Sequence, residues 1–300
     1  MEPSFLIPKS KIQVKSKTII DCPNGTVPIF RNTKEYVANA QYFAEEHFNP
    51  ITVKSHGTHF AGVRLNGKGR SPFHGMASWI SVHNLNVSRD QVSYAHVYVG
   101  SRVNNIDNFI ETGWMINPSL FGDGRVWGYG YFKGANGTGC YNTICPGFVQ
   151  VSKTDHISGP LPEGPDGKRN IGSTIQQDKK SGNWWVTDIR YKEDDIPIGY
   201  WPKELFDVIG NGVNTLGVGG VVKTSPSGNS PPMGNGHRPE DKDDMASARV
   251  LDILVMDSSL KFKLVDRSKL ENLLDSDKCY GLRKGNKNLF TFGGEGGDSC

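Results

Sequence analysis

No run of apolar residues in this sequence approaches the roughly 18 needed to cross a bilayer as a helix, which argues against a helical membrane anchor and a membrane partner. The first residues, Met1 to Gln13, lack the basic and apolar stretches of a secretion signal, so read literally the chain starts in the cytosol. Charge of one sign is also scarce. Lys and Arg total 34 against 31 Asp and Glu, interleaved, and a net charge of +3 offers no basic patch to nucleic acid. Long stretches of helical periodicity are few. With 36 glycines, 17 prolines and aromatic residues throughout, the composition favours an all-β protein with many turns. A 36% hydrophobic content over 300 residues can bury one large core with a smaller companion unit.

That smaller unit is read at residues 1–50. Ile12 to Ile29 alternates into short β-like pieces around Asp21-Cys-Pro-Asn-Gly, and Asn32 or Thr33 can cap a helix from about Lys34 to His47, stopped by Asn49-Pro50. Strand patterns dominate afterwards, at His59–Leu65, Ala77–Leu85, Val92–Gly100 and Gly147–Ser152. Ile175 to Arg190 reads as a hairpin turning at Lys180–Asn183. Thr224–Met245, rich in Pro, Gly and Asp, reads as a long mobile loop, followed by strands at Arg249–Met256 and Lys261–Val265. His56 and His59 form an HxxH pair with no third ligand in view, so the sequence points to no metal and no cofactor.

Chemistry concentrates between Asn104 and Gln150. Glu111 stands just before Gly113-Trp114 in a largely apolar segment, Phe109–Phe121, where burial should push its carboxyl pKa upward into a range useful for proton transfer. Trp127, Tyr129 and Tyr131 alternate with Gly128 and Gly130, so at strand spacing the three rings share one face. Cys140 and Cys145 bracket a short turn, and five cysteines leave one over. Their spacing suits disulfides, and Asn24, Asn86 and Asn136 each open a glycosylation sequon.

The wording of this block, GWMINPSLFGD followed by GTGCYNTICPGFVQ, resembles the plant neprosin family, secreted glutamic endopeptidases that cut on the carboxyl side of proline. DCPNGTVPIFRN, SGNWWV, IGYWPKELF, MGNGHRPED and the CY...FTFGG ending extend the resemblance through nearly the whole chain. It implies a secreted glycoprotein whose signal is absent from this sequence, and an antiparallel β-sandwich of two curved sheets over 57–300. It also implies an activation-peptide-like region at 1–50 that covers the catalytic domain as its inhibitor until cleaved between His47 and Gly57. Cys140–Cys145 and Cys279–Cys300 match disulfide positions of the family, which leaves Cys22 free or paired with another chain. Trp114, Trp127, Tyr129, Tyr131, Trp184 and Tyr200 are candidates to line a cleft in a monomer that takes proline-containing peptides. Trp184, Trp185, Tyr200 and Trp201 could equally be core.

One departure from the family pattern matters. Where the family carries a second catalytic Glu, in a pattern like E-W-G-G-E, this chain has Leu216-Gly217-Val218-Gly219-Gly220-Val221, so Gly217 stands at the place of the lost carboxylate. Two acids across one water split their pKa values and share base and acid work, and losing one should cost on the order of 10² to 10⁴ in rate. Three expectations follow: an impaired post-proline endopeptidase in which Glu204 or Asp207 replaces the second acid, a silent binder of proline-rich peptides or cell-wall glycans, or a storage protein. The site assignment requires Glu111 and Gly217 within about 12 Å of each other, the reach of side chains that share a water.

Overall fold

In the computed structural model, which describes residues 22–53, 57–67, 72–162, 169–190, 193–240, 243–286, 288–298 and 300, the two longest strands form one hairpin. These are β3 (Val92–Val103) and β4 (Ile106–Ile116), joined through Asn104 and Asn105 with φ of 48° and 64°. Two consecutive positive φ values suit the right-handed twist of a tight hairpin, and Asn tolerates that conformation better than most residues.

Around this hairpin a first sheet is completed by β1 (Thr58–Asn66), β5 (Trp127–Lys133), β6 (Gly139–Tyr141), β8 (Gly159–Pro160), β12 (Thr215–Lys223) and β15 (Glu271–Leu274). Its order is β15-β1-β12-β3-β4-β5-β6, with β8 also on β5. The second sheet holds β2 (Gly75–Val82), β7 (Val149–Gln150), β9 (Arg169–Gln177), β10 (Trp184–Asp188), β11 (Ile196–Trp201), β13 (Ala248–Met256), β14 (Phe262–Leu264), β16 (Gly281–Lys284) and β17 (Leu289–Gly293). Its order is β16-β17-β13-β2-β9-β10-β11-β7, with β14 on β13. The pairings of both sheets are antiparallel, and the fold is the expected all-β sandwich.

The main core lies between the sheets, where Val97, Val99, Ile110, Trp114 and Val218 of the first meet Ile80, Ile175, Trp184, Val250 and Phe292 of the second. A second cluster covers the opposite face of the first sheet. There Tyr94, Phe109, Met115, Tyr129, Tyr131, Tyr141 and Val221 pack against Ala40 and Phe48 of the N-terminal region. The central strand β3 is therefore buried on both faces from Val92 to Ser101.

The N-terminal helix α1 (Lys34–Glu45) starts where Thr33 accepts a hydrogen bond from the Tyr36 N–H, as its capping chemistry anticipates. Two expectations change. Residues 22–33 form a turn and extended chain with no strand, so the described part of this region is α plus coil rather than α+β; residues 12–21 lie outside the described residues. Within the expected 224–245 loop, residues 225–236 are not free but pack into the sandwich, with Met233 wholly buried and bridged to Gly294. Both expected disulfides, Cys140–Cys145 and Cys279–Cys300, are present, and Cys22 is a free thiol.

Candidate active site

The first sheet lines up one transverse row of residues facing the N-terminal region. In register they are Glu271, Arg64, Gly217, Tyr98, Glu111, Tyr131 and Tyr141, on β15, β1, β12, β3, β4, β5 and β6. Residues directly opposite in an antiparallel ladder project to the same face. Glu111 and Gly217 are thus two strands apart on one row, about 10 Å between backbones at the usual strand spacing, within the limit that sharing a water imposes.

Glu111 is fully buried. Its Oε1 accepts from His47 Nε2 at 2.7 Å and from the Tyr129 hydroxyl at 2.8 Å, and its Oε2 from His96 Nδ1 at 2.8 Å. A carboxylate only accepts, so the imidazole nitrogens that face it carry protons. Glycine at 113 lets the backbones of β3 and β4 come together beside the site. A Cβ there would stand 2.0 Å from the Ala95 carbonyl oxygen, in the row where His96, Gly113 and Tyr129 are neighbours. Burial does push the Glu111 carboxyl upward, as anticipated, but the charges and hydrogen bonds of His47 and His96 outweigh it. The net effect corrects the expectation from sequence: the carboxyl is held well below the usual range and stays ionised.

His47, two residues past α1, is wedged into the site. Its ring stacks on Tyr131 with centroids 3.9 Å apart, and its Nδ1 lies 2.5 Å from the Tyr141 hydroxyl. Around it the Tyr131 hydroxyl donates to the Ala44 carbonyl at 3.0 Å, and Asn142 donates to the Tyr36 hydroxyl at 2.8 Å. Phe48 stacks on Phe60, and Gln150 holds the Pro28 carbonyl at 2.7 Å. The N-terminal region therefore lies along the whole face that carries Glu111.

The Neprosin family profile matches residues 89–295, more than two-thirds of the chain. The chain belongs to the Neprosin family. Among solved structures it is similar to scytalido-glutamic peptidase with a transition-state analog inhibitor, at 9% identity and a TM-score of 0.44, over 79% of this chain and 98% of that one. It is also similar to SCP-B, an eqolisin-family peptidase in complex with the tripeptide Ala-Ile-His, at 8% identity and a TM-score of 0.39, over 79% and 98%.

In this Neprosin-family chain the residues that sequence reasoning nominated separate into two places. Tyr129 and Tyr131 surround Glu111, and Trp127 lies farther along the same strand, stacked on Phe121 at 4.8 Å and edge-on to Phe30 at 6.2 Å. Trp114 and Trp184 do not line this face. Both are fully buried between the sheets, their indole N–H groups donating to Ser81 and Ile209 carbonyls. Trp201 joins them in that core, whereas Tyr200 lies in the second sheet, packed on the buried Trp185 at 4.9 Å. Of the four aromatics that could equally be core, Trp184, Trp185 and Trp201 are fully buried, while Tyr200 is half-buried.

Glu204 and Asp207 are exposed around the 3₁₀ turn after β11 and take no part in the row, so neither stands where a second acid was expected. His59 pairs with Asp275 at 2.8 Å, and His56 lies outside the described residues. Asn24, Asn86 and Asn136 are all exposed.

His47, His96, Tyr98 and Tyr141 were not singled out from sequence. A signal existed in Val92–Gly100, where Tyr94, His96 and Tyr98 alternate with Ala95, Val97 and Val99, a polar-aromatic face against an aliphatic one.

Proposed function

We propose that this chain is a peptidase-class member of the Neprosin family whose hydrolytic site rests on one carboxylate, Glu111, and that its own N-terminal region is the inhibitor covering that site. The bond from His47 to Glu111 carries this reading: the Oε1 that an attacking water would need is taken by residue 47. Once the region is cut between His47 and Gly57 and leaves, Oε1 is free to accept a proton from water. The loss of His47 also removes one of the two imidazoles that hold the carboxyl down, so its pKa rises toward acid-range catalysis. Tyr129, Tyr131 and Trp127 then offer flat ring faces, which suit proline-containing peptides cut after proline. Without a second acid at Gly217 the rate is reduced, on the order of 10² to 10⁴ below a two-carboxylate site. Two disulfides and three exposed sequons support a secreted glycoprotein.

A second reading, a silent binder of proline-rich peptides or cell-wall glycans, is favoured by the missing side chain at 217. The deciding experiment uses the full chain carrying His47→Ala and a site-specific protease sequence between Val53 and Gly57, nicked and incubated with a proline-rich peptide at pH 3. Cleavage after proline, lost in Glu111→Gln, supports the peptidase. No cleavage by the parent, with activity gained in Gly217→Glu combined with Tyr98→Ala, supports the binder. The paired change is needed because a Cβ at 217 would lie 2.5 Å from the Tyr98 hydroxyl; the Val63 carbonyl, at 2.6 Å, must shift as well.

A further inference from the structure

Tyr98 stands directly across the ladder from both Glu111 and Gly217, and all three project to the same face. Its ring leans toward β12, so that the hydroxyl oxygen lies 2.5 Å from the point where a side chain at 217 would begin. Only glycine at 217 leaves room for it. This hydroxyl is buried and, among the described residues, has no hydrogen-bond partner. A buried polar group left unpaired costs free energy, and native structures rarely keep one without a use for it. A small void next to Tyr98 and His96 is floored by Gly62, Gly219 and Gly220 and roofed by Phe48, Pro50 and Val53 of the N-terminal region. Departure of that region opens the void to the cleft, with an unused O–H donor on the strand next to Glu111 and at the place of Gly217.

We infer that Tyr98 is the second catalytic residue of this site, its phenol O–H replacing the absent side chain at 217 as the hydrogen-bond donor to the carbonyl oxygen of the scissile peptide bond. The assignment rests on the hydrolytic reading of Glu111. In the addition step a water oxygen bonds to the carbonyl carbon, the water proton passes to the Glu111 carboxylate, and the C=O π pair moves onto oxygen, which accepts the Tyr98 hydrogen bond. In the collapse step that pair re-forms C=O, the C–N bond breaks, and the proton on Glu111 goes to the leaving nitrogen, giving one carboxylic acid and one amine. Tyr98 donates throughout without losing its proton. Burial raises its phenol above the ordinary range despite the opposing charge of Arg64, and Glu271 and Glu111 push the same way as burial, so the group remains a neutral donor.

The test compares the nicked, His47→Ala full chain with the same protein carrying Tyr98→Phe. Three readouts are taken: turnover of a proline-containing peptide, calorimetric affinity for a proline-terminated peptide aldehyde whose hydrate mimics the tetrahedral adduct, and affinity for the corresponding peptide acid. The expected result is a kcat lower by about 10²-fold with KM unchanged, an aldehyde affinity at least about tenfold weaker, and an unchanged acid affinity. Turnover and aldehyde affinity unmoved by Tyr98→Phe would overturn the assignment while leaving the peptidase reading intact. Equal weakening of aldehyde and acid would also overturn it, because the hydroxyl would then serve binding alone. So would a parent that binds the aldehyde no better than the acid. A parent without turnover that still loses aldehyde affinity on Tyr98→Phe would sink the peptidase reading and with it the catalytic role of Tyr98, leaving a hydroxyl that only binds the tetrahedral adduct. Removing one unpartnered oxygen should leave the melting temperature unchanged or raise it, and a clear fall would show that the hydroxyl has a partner and overturn the premise.

Discussion

On β3, Ala95, Val97 and Val99 point toward the second sheet, while Tyr94, His96 and Tyr98, alternating with them, point toward the N-terminal region. The same contrast runs along β4, where Ile110 and Trp114 face the sandwich core and Phe109, Glu111 and Met115 face outward. Both faces are buried, but by different physics. The inner face is held by apolar packing, which is insensitive to pH and forms whenever the chain folds. The outer face is held by phenols, imidazoles and one carboxylate under a cover made of residues 22–53, and part of its energy depends on protonation. A face that is to be uncovered, as proposed for this one, is better closed by a removable segment than by a second sheet.

The largest effect expected in breaking this comparison is on the inner face. Trp114→Ala should cost about 3 to 5 kcal/mol of global stability, by emptying a packed site and leaving the Ser81 carbonyl without its donor, and urea midpoints should fall equally at pH 7 and pH 4. On the outer face, Phe48→Ala should cost about 3 kcal/mol, felt first as lost docking of the cover. Hydrogen exchange would then quicken over 34–53 before it quickens in β3; uniform quickening would mean that cover and sandwich unfold as one unit.

Glu111→Gln sharpens the contrast through pH. A carboxyl whose native pKa is depressed adds stability that is fully present above its unfolded value, about 4.3, and is lost as pH falls through the native value. The variant should therefore lie about 1.5 to 3 kcal/mol below the parent at pH 7 and still at pH 5, the gap closing only in strongly acidic solution. A gap that closes above the ordinary carboxylate range would show that the held-down Glu111 carboxyl is not its source. The smallest effect is at the helix cap, where Thr33→Ala should cost about 1 kcal/mol, confined to the exchange rates of α1.

Much of the fold was legible because strand periodicity and turn chemistry are local. The hairpin 175–190, the strands near 59–65 and 249–256 and the cap at Thr33 all follow from neighbouring residues. Face assignment was harder. When a strand is buried on both sides, as β3 is, alternation no longer marks which side is the core, so Trp114 and Trp184 looked as suitable for a cleft as Trp127. Residues 225–236 misled for the opposite reason: the polar composition around them suggested mobility, while the buried Met233 and backbone bridges from Ser230 to Gly297 and from Met233 to Gly294 anchor them.

For the candidate site, sequence by itself singled out Glu111, Gly217 at the place where a second carboxylate was expected, the tyrosines beside Glu111 and both disulfides, because family wording and strand spacing act within short stretches. Only the tertiary structure decided that His47 and His96, 64 and 15 residues away, meet at Glu111, that its carboxyl is held down rather than raised, and that the Tyr98 hydroxyl occupies the space glycine 217 leaves open. Those facts depend on the register of strands distant in the chain. Register is set by which faces can be buried together, a property of the assembled sandwich and not of any one segment.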